Sequence, residues 1–505
     1  MPIDSLRTSS SKSACGFALV LTFFVLFESG AGEPIDIGSR LELFVDHHLI
    51  DQLHGAKLKL HRPFKLPKST SPLPANRHYI TVLKDGNLFR AYWRGSNPDY
   101  GGAEAWFAKH PEEVAIYAER TGFDPKRMVE GKWFAGNPGE HVRYAESRNG
   151  HDWTFPKLGF HEMGGTKQNN VLLKDMPPLL TNFCPFIDTN PNHKPGQRYK
   201  ALGGHPGYRD MRGGKGSGLH ALVSPDGIQW DVIGEVIPYP DGAEHAFDSQ
   251  NVSFWSEAEK QYVCYFRTWK APWGRQLTIS RTTSKDYLNW TDPVYVGPNR
   301  RGEDLYTSQT HPYFRAPHIY IALPTRYFKE RGSITDVAFM SMRAGSNHYD
   351  RPFKEAYIRP GLGAKQWDNR SNYVALNVLP TGKGEMSIWH RSGHRYVLRT
   401  DGFISINAET EPGEFLSKPL RFNGNQLTLN VSTSAAGSVR VEMQESNGQA
   451  IPGFRLSDCD PVVGDEISIP VTWKGSKDVQ ALVGRDIRLR FVLEETDLYS
   501  MRFRP

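Results

Sequence analysis

The sequence predicts an all-β protein: a five-bladed β-propeller followed by a C-terminal antiparallel β-sandwich. Three observations carry this expectation. The 505-residue chain holds 47 Gly and 35 Pro with 12% aromatic residues, a balance that suits short strands and frequent turns. A hairpin recurs along the first four-fifths of the chain, each copy followed by a strand, a polar turn and an aromatic residue. Beyond Glu414 the texture changes to clean apolar–polar alternation.

The first 32 residues read as a processing signal. Arg7 and Lys12 precede an apolar run at 14–27 that is too short to span a bilayer, and small residues follow at 29–32. The mature chain is therefore expected to be secreted or periplasmic, with no membrane attachment after signal removal. Removing Cys15 leaves Cys184, Cys264 and Cys459. Three scattered thiols make no disulfide framework, and Cys184 and Cys264, within apolar strand patterns, are expected as small buried hydrophobes.

Residues 42–46 open the strand pattern, and 44–49 are a candidate strand for closing the ring. Residues 79–83 and 88–93 flank an Asp-Gly turn, a strong hairpin signal. The stretch 98–140 breaks the rhythm and includes a short predicted helix at 111–120. The hairpins begin near His78, Asn182, Asp248, Gln309 and Asn372, so the last three intervals are 61–66 residues and the first is longer. Their trailing turns include Asn149-Gly150, Asp226-Gly227 with Trp230, Asp286-Tyr287 with Trp290, Ser346-Asn347 with Tyr349, and Asp401-Gly402 with Phe403. Five such units imply five blades over 40–412, with the sandwich at 413–505.

In a propeller the innermost strands line the axis, so residues heading them converge at one mouth. Arg77, His78, Asn182, Gln250, Gln309, Arg370 and Asn372 are the substrate-binding candidates. Asp248 is the candidate ionised carboxylate, with Glu303 or Asp304 as proton donor and Glu244 as a rival. His311 is a further catalytic candidate, and His245 and Asp368 lie on adjoining loops. Carboxylates, amides, imidazoles and guanidiniums around one opening suit a polyhydroxylated ligand, and glycoside cleavage needs two carboxyls in different protonation states.

The net charge of +6 is spread along the chain without a basic run, so a nucleic-acid partner is not expected. It leaves room for an anionic polymer. No HExxH motif, cysteine pair or EF-hand loop is present, so zinc is unsupported and no cofactor is expected; calcium on the axis is the open alternative. The run Asp46-His47-His48 looks like a ligand set, but adjacent strand side chains face opposite ways.

Several segments together carry a resemblance: Leu43-Phe44-Val45-Asp46, Asn182-Phe183-Cys184-Pro185-Phe186-Ile187-Asp188, Phe247-Asp248-Ser249-Gln250-Asn251 and Gln309-Thr310-His311-Pro312-Tyr313-Phe314, with Arg359-Pro360-Gly361 and Thr433-Ser434-Ala435-Ala436-Gly437-Ser438. They resemble exported proteins of planctomycete-type bacteria related to the five-bladed propellers of glycosyl hydrolase families 32 and 43. The resemblance implies a hydrolase-like funnel taking a polysaccharide or oligosaccharide. It also implies an aspartate on the first blade, another on the second and a glutamate on or near the third. Here Arg77-His78-Tyr79 and Asn182-Phe183 head the first two blades, leaving Asp248 as the carboxylate at a strand head unless Asp46 folds into the mouth.

Three readings follow. The first is a glycoside hydrolase acting on a complex, anionic polysaccharide. The second is a non-catalytic carbohydrate-binding propeller. The third is a polysaccharide lyase-like site with His78 or His311 as base and Arg370 neutralising a uronate.

Overall fold

The computed structural model describes residues 33–96, 140–174, 176, 179–204, 218–240, 246–269 and 271–505, with four further positions between 108 and 115. The expected leader, most of the predicted helix at 111–120, and Glu244 and His245 lie outside the described residues.

Six antiparallel sheets form the five blades of the propeller. Blade 1 is Thr81–Asp85, Leu88–Ser96, Glu140–Ser147 and Val171–Lys174. Blade 2 is Cys184–Ile187, Tyr199–Gly203, Leu219–Ser224 and Asp231–Ile237. Blade 3 is Val252–Ser256, Gln261–Thr268, Thr278–Ser284 and Val294–Tyr295. Blade 4 is split along its length. Its lower part is His311–Tyr313, Ala316–Ala322 and Met340–Arg343, and its upper part is Asp304–Leu305, Thr325–Phe328 and Ile334–Val337. Blade 5 is Leu379–Gly382, Glu385–Trp389 and Arg395–Arg399.

The innermost strands touch neighbour to neighbour from blade 1 to blade 4, and a parallel bridge between Thr81 and Leu376 joins blade 5 back to blade 1. The fourth strand of blade 5 comes from the other end of the chain: Phe64–Lys65 pairs with Val397 and Tyr396. Residues 44–49, expected to close the ring, form no strand. Their apolar members Phe44 and Leu49 pack into the sandwich core.

On the axis, buried polar groups from all five blades meet. Gln250 Nε2 donates to Thr81 Oγ1 (2.8 Å) and approaches Cys184 Sγ (3.5 Å). Gln309 Nε2 donates to Gln250 Oε1 (2.9 Å) and to the Val374 carbonyl (2.8 Å). A buried amide is tolerated where partners satisfy it, and here those bonds lock the blades together.

The recurring turn follows the third strand of blades 1 to 3. Ser147, Ser224 and Ser284 each accept, on Oγ, the backbone N–H three residues ahead (2.8, 2.8 and 2.9 Å). Asn149, Asp226 and Asp286 then take the next two N–H groups on one side-chain oxygen. This satisfies the backbone locally, as Asx and Ser turns do. The residue after each Asx is left-handed: Gly150, Gly227 and, in blade 3, Tyr287 (φ 69°, 76° and 69°).

The sandwich is a ten-stranded assembly built on the long strands Gln426–Glu445 and Ile487–Arg504. It recruits Ile35–Gly38, Leu41–Leu43, Ile50–His54 and Lys57–Leu60 from the N-terminal part and Ile404–Ala408 from before residue 413. The two modules are therefore interleaved in sequence, where the sequence reading divided them at 412/413. Among the described residues no helix is long and apolar enough to cross a membrane.

Candidate functional site

The mouth is the end of the ring at which the inner strands begin. The structure sorts the residues expected there into three groups: those at the mouth, those on the axis beneath it, and those spent on holding loops.

Asp248 is at the mouth. Its side chain is 40% exposed and its carboxylate pairs at 2.5 Å with Arg267, which is 3% exposed. Arg267 closes the second strand of blade 3 and lies 4.6 Å from the Tyr306 ring centroid. Burial opposes the Arg267 charge most strongly, but Asp248 together with Tyr306 and Tyr79 outweighs it and the guanidinium pKa is raised.

Asp304 lies on the upper part of blade 4, within the field of the same Arg267. Its Oδ1 accepts the Leu277 N–H at 3.1 Å. Burial pushes its carboxyl up from the ordinary aspartate value, against the pull of Arg267 and Lys329. Asp248 is thus ion-paired and half exposed, while Asp304 has no ion pair with Arg267 and burial biases it toward its protonated form.

Glu303, the adjacent candidate, is not a proton donor. Arg351 grips its two oxygens at 2.6 and 2.9 Å, and Arg326 stands at 3.5 Å. Burial alone would raise its pKa, but the Arg351 bonds and charge outweigh it and the carboxyl is held below its usual range.

His311 is also withdrawn from chemistry. Its Nδ1–H donates to the Gln309 carbonyl (2.9 Å) and its Nε2 accepts the Val378 N–H (3.0 Å), which fixes the tautomer and joins blade 4 to blade 5. Full burial lowers its pKa to about 4.

Gln250 and Gln309 form the axial plug rather than a binding surface, and each is 1% exposed. Asn182 and Asn372 are equally buried. Asn182 Nδ2 holds the Phe247 carbonyl (3.1 Å), and Asn372 Nδ2 holds the carbonyls of Thr335 (2.8 Å) and Gln366 (2.9 Å). All four were expected to bind substrate; each instead satisfies backbone or axis groups beneath the mouth.

Arg77, His78 and Arg370 do reach the mouth, half-buried. The His78 ring lies 5.2 Å from Tyr373. Burial, then the charges of Arg391, Arg94, Arg370 and Arg77, lower its pKa to about 3. Arg370 lies over Tyr306 (5.4 Å) and Tyr327 (5.3 Å).

Four arginine and tyrosine contributors were not singled out from sequence: Arg94, Arg267, Tyr306 and Tyr373. Arg94 pairs with Glu140 at 3.2 Å and lies 5.2 Å from the Tyr79 ring. Arg94 and Arg267 both stand at the mouth end of the second strand of a blade. A charged residue closing an otherwise buried apolar run, as in Val263-Cys264-Tyr265-Phe266-Arg267, was the available signal.

Asp46 does not fold into the mouth. With Glu42 it clamps Arg343, at the other end of blade 4, at 2.5–3.0 Å. The axial plug offers amides, backbone carbonyls, one hydroxyl and a thiol, with no carboxylate among these bonded groups. Among the described residues no three His, Cys, Asp or Glu side chains cluster as metal ligands.

No protein-family model and no curated protein matches the chain. Solved structures similar to it include a glycoside hydrolase (TM-score 0.40, 11% identity, covering 67% of this chain and 91% of the other). Another is a glycoside hydrolase family 43 arabinoxylan arabinofuranohydrolase from Bacillus subtilis in complex with cellotetraose (0.36, 13%, 85% and 95%). A third is a thermostable family-43 glycoside hydrolase (0.38, 10%, 68% and 96%). The chain's structural neighbours are thus glycoside hydrolases at low sequence identity.

Proposed function

We propose that this chain is an exported glycoside hydrolase-like enzyme acting on a complex, anionic polysaccharide at the propeller mouth. The likeness to exported planctomycete-type proteins and to family 32 propellers belongs to the same reading. The observation that carries it is the contrast between Asp248, ion-paired with the buried Arg267 at a blade-3 strand head, and Asp304, whose carboxyl burial pushes toward the protonated form.

In this reading Asp304 gives its proton to the glycosidic oxygen as the bond to the anomeric carbon breaks. Asp248 takes a proton from the water whose oxygen adds there, or attacks that carbon itself. Arg77, His78 and Arg370 contact the substrate. Elimination is the weaker reading. His78, lowered to about 3, holds a proton poorly, and His311 has both ring nitrogens engaged.

The test is turnover of acidic polysaccharides, read as new reducing ends and, separately, as near-ultraviolet absorbance of an unsaturated product. Reducing ends without absorbance are expected, with Asp248→Asn and Asp304→Asn each losing on the order of 10²–10⁴-fold. Full turnover by Asp248→Asn, an unsaturated product, or tight binding without cleavage would each replace this reading.

A further inference from the structure

Arginines whose Nε–H is buried without an acceptor recur in this fold, and most of them answer to a carboxylate. Arg90 faces Asp85, Arg267 faces Asp248, Arg281 faces Glu259, Arg351 faces Glu303 and Arg395 faces Glu385. Three others have the same buried Nε–H and no ion pair among the described residues: Arg77, Arg370 and Arg391. Arg370 and Arg391 meet beside Tyr373, whose ring lies 5.2 Å from the His78 ring at the mouth, and Arg77 directly precedes His78 in the chain.

The contacts there are well defined. Arg391 donates to the Arg370 carbonyl and lies 6.0 Å from the Tyr373 ring. Arg370 is covered by the faces of Tyr306 and Tyr327. Ring faces attract a cation, but they carry no net charge, and no carboxylate among the described residues pairs with these three guanidiniums. A half-buried cluster of like charges is costly unless a counter-charge joins it. Burial first, and after it the charges of Arg391, Arg94, Arg370 and Arg77, lower the His78 pKa. Arg267 and Arg370 lie over one ring, Tyr306, at 4.6 and 5.4 Å, so the cluster adjoins the Asp248 pair across a single side chain. On the rim, Trp367 is 52% exposed with its indole N–H bound to the Gly361 carbonyl (3.0 Å), which leaves a ring face open for stacking.

We infer that Arg77, Arg370 and Arg391 form an oxyanion subsite that takes a sulfate ester or a uronate carboxylate on the glycan unit beside the cleavage point. What carries the anion rests on the hydrolase reading; the binding of the anion does not. Guanidinium forks match both oxyanions, bidentate to either.

The test uses the full chain with inorganic sulfate and free glucuronate as probes, at ionic strength matched with chloride. Saturable single-site binding is expected for at least one probe. Arg370→Gln and Arg77→Gln should each weaken it tenfold or more, and Arg370→Lys, which keeps the charge and loses the fork, should fall between. Asp248→Asn and Asp304→Asn should keep full anion binding while losing turnover, which separates this inference from the catalytic one. Preference for sulfate assigns the subsite to a sulfate ester, and preference for glucuronate assigns it to a uronate. No saturable binding of either probe, or unchanged affinity in folded Arg370→Gln and Arg77→Gln, overturns it.

Discussion

Glu303 and Asp304 are neighbours in sequence and opposites in the fold. Their side chains diverge, so one carboxyl turns to Arg351 and the other to the Leu277 N–H of blade 3. Sequence alone had no way to choose between them, because the choice depends on where Arg351 and Arg267 fall in space. The difference is measurable as stability. The folded pKa of Asp304 is raised, so between the unfolded aspartate value near 3.8 and that raised value the native chain binds the extra proton. Stability from this group therefore falls as pH rises through that window, and at neutral pH the full burial penalty remains. Asp304→Asn keeps an acceptor for the Leu277 N–H without the charge. It should melt higher than the parent at pH 7, with the gain shrinking as pH falls through that window and gone below about 3.8. Glu303→Gln should do the reverse and cost about 3–5 kcal/mol, because it leaves Arg351 buried without its partner. Thermal unfolding of both variants across pH decides the matter. A loss of stability on Asp304→Asn at neutral pH would make Asp304 structural.

The blade turns show which elements a sequence can disclose. Each is closed by a serine and an Asx two residues later, with every bond made inside a six-residue span. Chemistry that local is legible, and in blades 1 to 3 it marks the end of the third strand. Its sharpest requirement is at Gly227, whose φ is 76° and where an added Cβ would lie 2.7 Å from the Tyr92 hydroxyl. Gly227→Ala should cost roughly 1–3 kcal/mol from backbone strain and collision together. Gly159→Ala, also at φ 76° but with nothing within 4 Å, isolates the backbone share and should cost less. Equal losses in a melting comparison would remove the contribution of the Tyr92 contact. The ring closure was not legible. Phe64–Lys65 is two residues long, has no period, and leaves Phe64 68% exposed; only the position of blade 5 makes it a strand. The axial glutamines failed for another reason. A polar residue heading a buried strand signals a mouth and a plug equally well, and the distinction lies in partners on four other blades.

Across the whole molecule, buried polar groups tie the parts into one cooperative unit. Asp401 accepts from Tyr313 (2.7 Å) and Arg315 (2.5 Å) in the propeller and from Asn430 (2.9 Å) and Ser500 (2.7 Å) in the sandwich. Such joining makes local protonation a global event. His220, His311 and His390 lie in blades 2, 4 and 5, each at most 3% exposed, and burial lowers their pKa values to about 4, 4 and 3. In the unfolded chain each titrates near 6.5. Between that value and the folded ones the unfolded chain binds more protons, so stability is complete above about pH 6.5 and is lost as pH falls toward 4. Each pKa unit carries about 1.4 kcal/mol, against a net stability of roughly 5–15 kcal/mol for a domain, so three such groups weigh heavily. The melting temperature should be level near pH 7 and drop steeply between about 6.5 and 4, with a slope reporting uptake of more than one proton. His220→Leu removes one titrating ring whose two nitrogens have no partner among the described residues, and it should flatten that slope by about one proton. A melting temperature unchanged from pH 6.5 to 4, or a slope that His220→Leu leaves as it was, would show that these imidazoles take up protons without unfolding the ring.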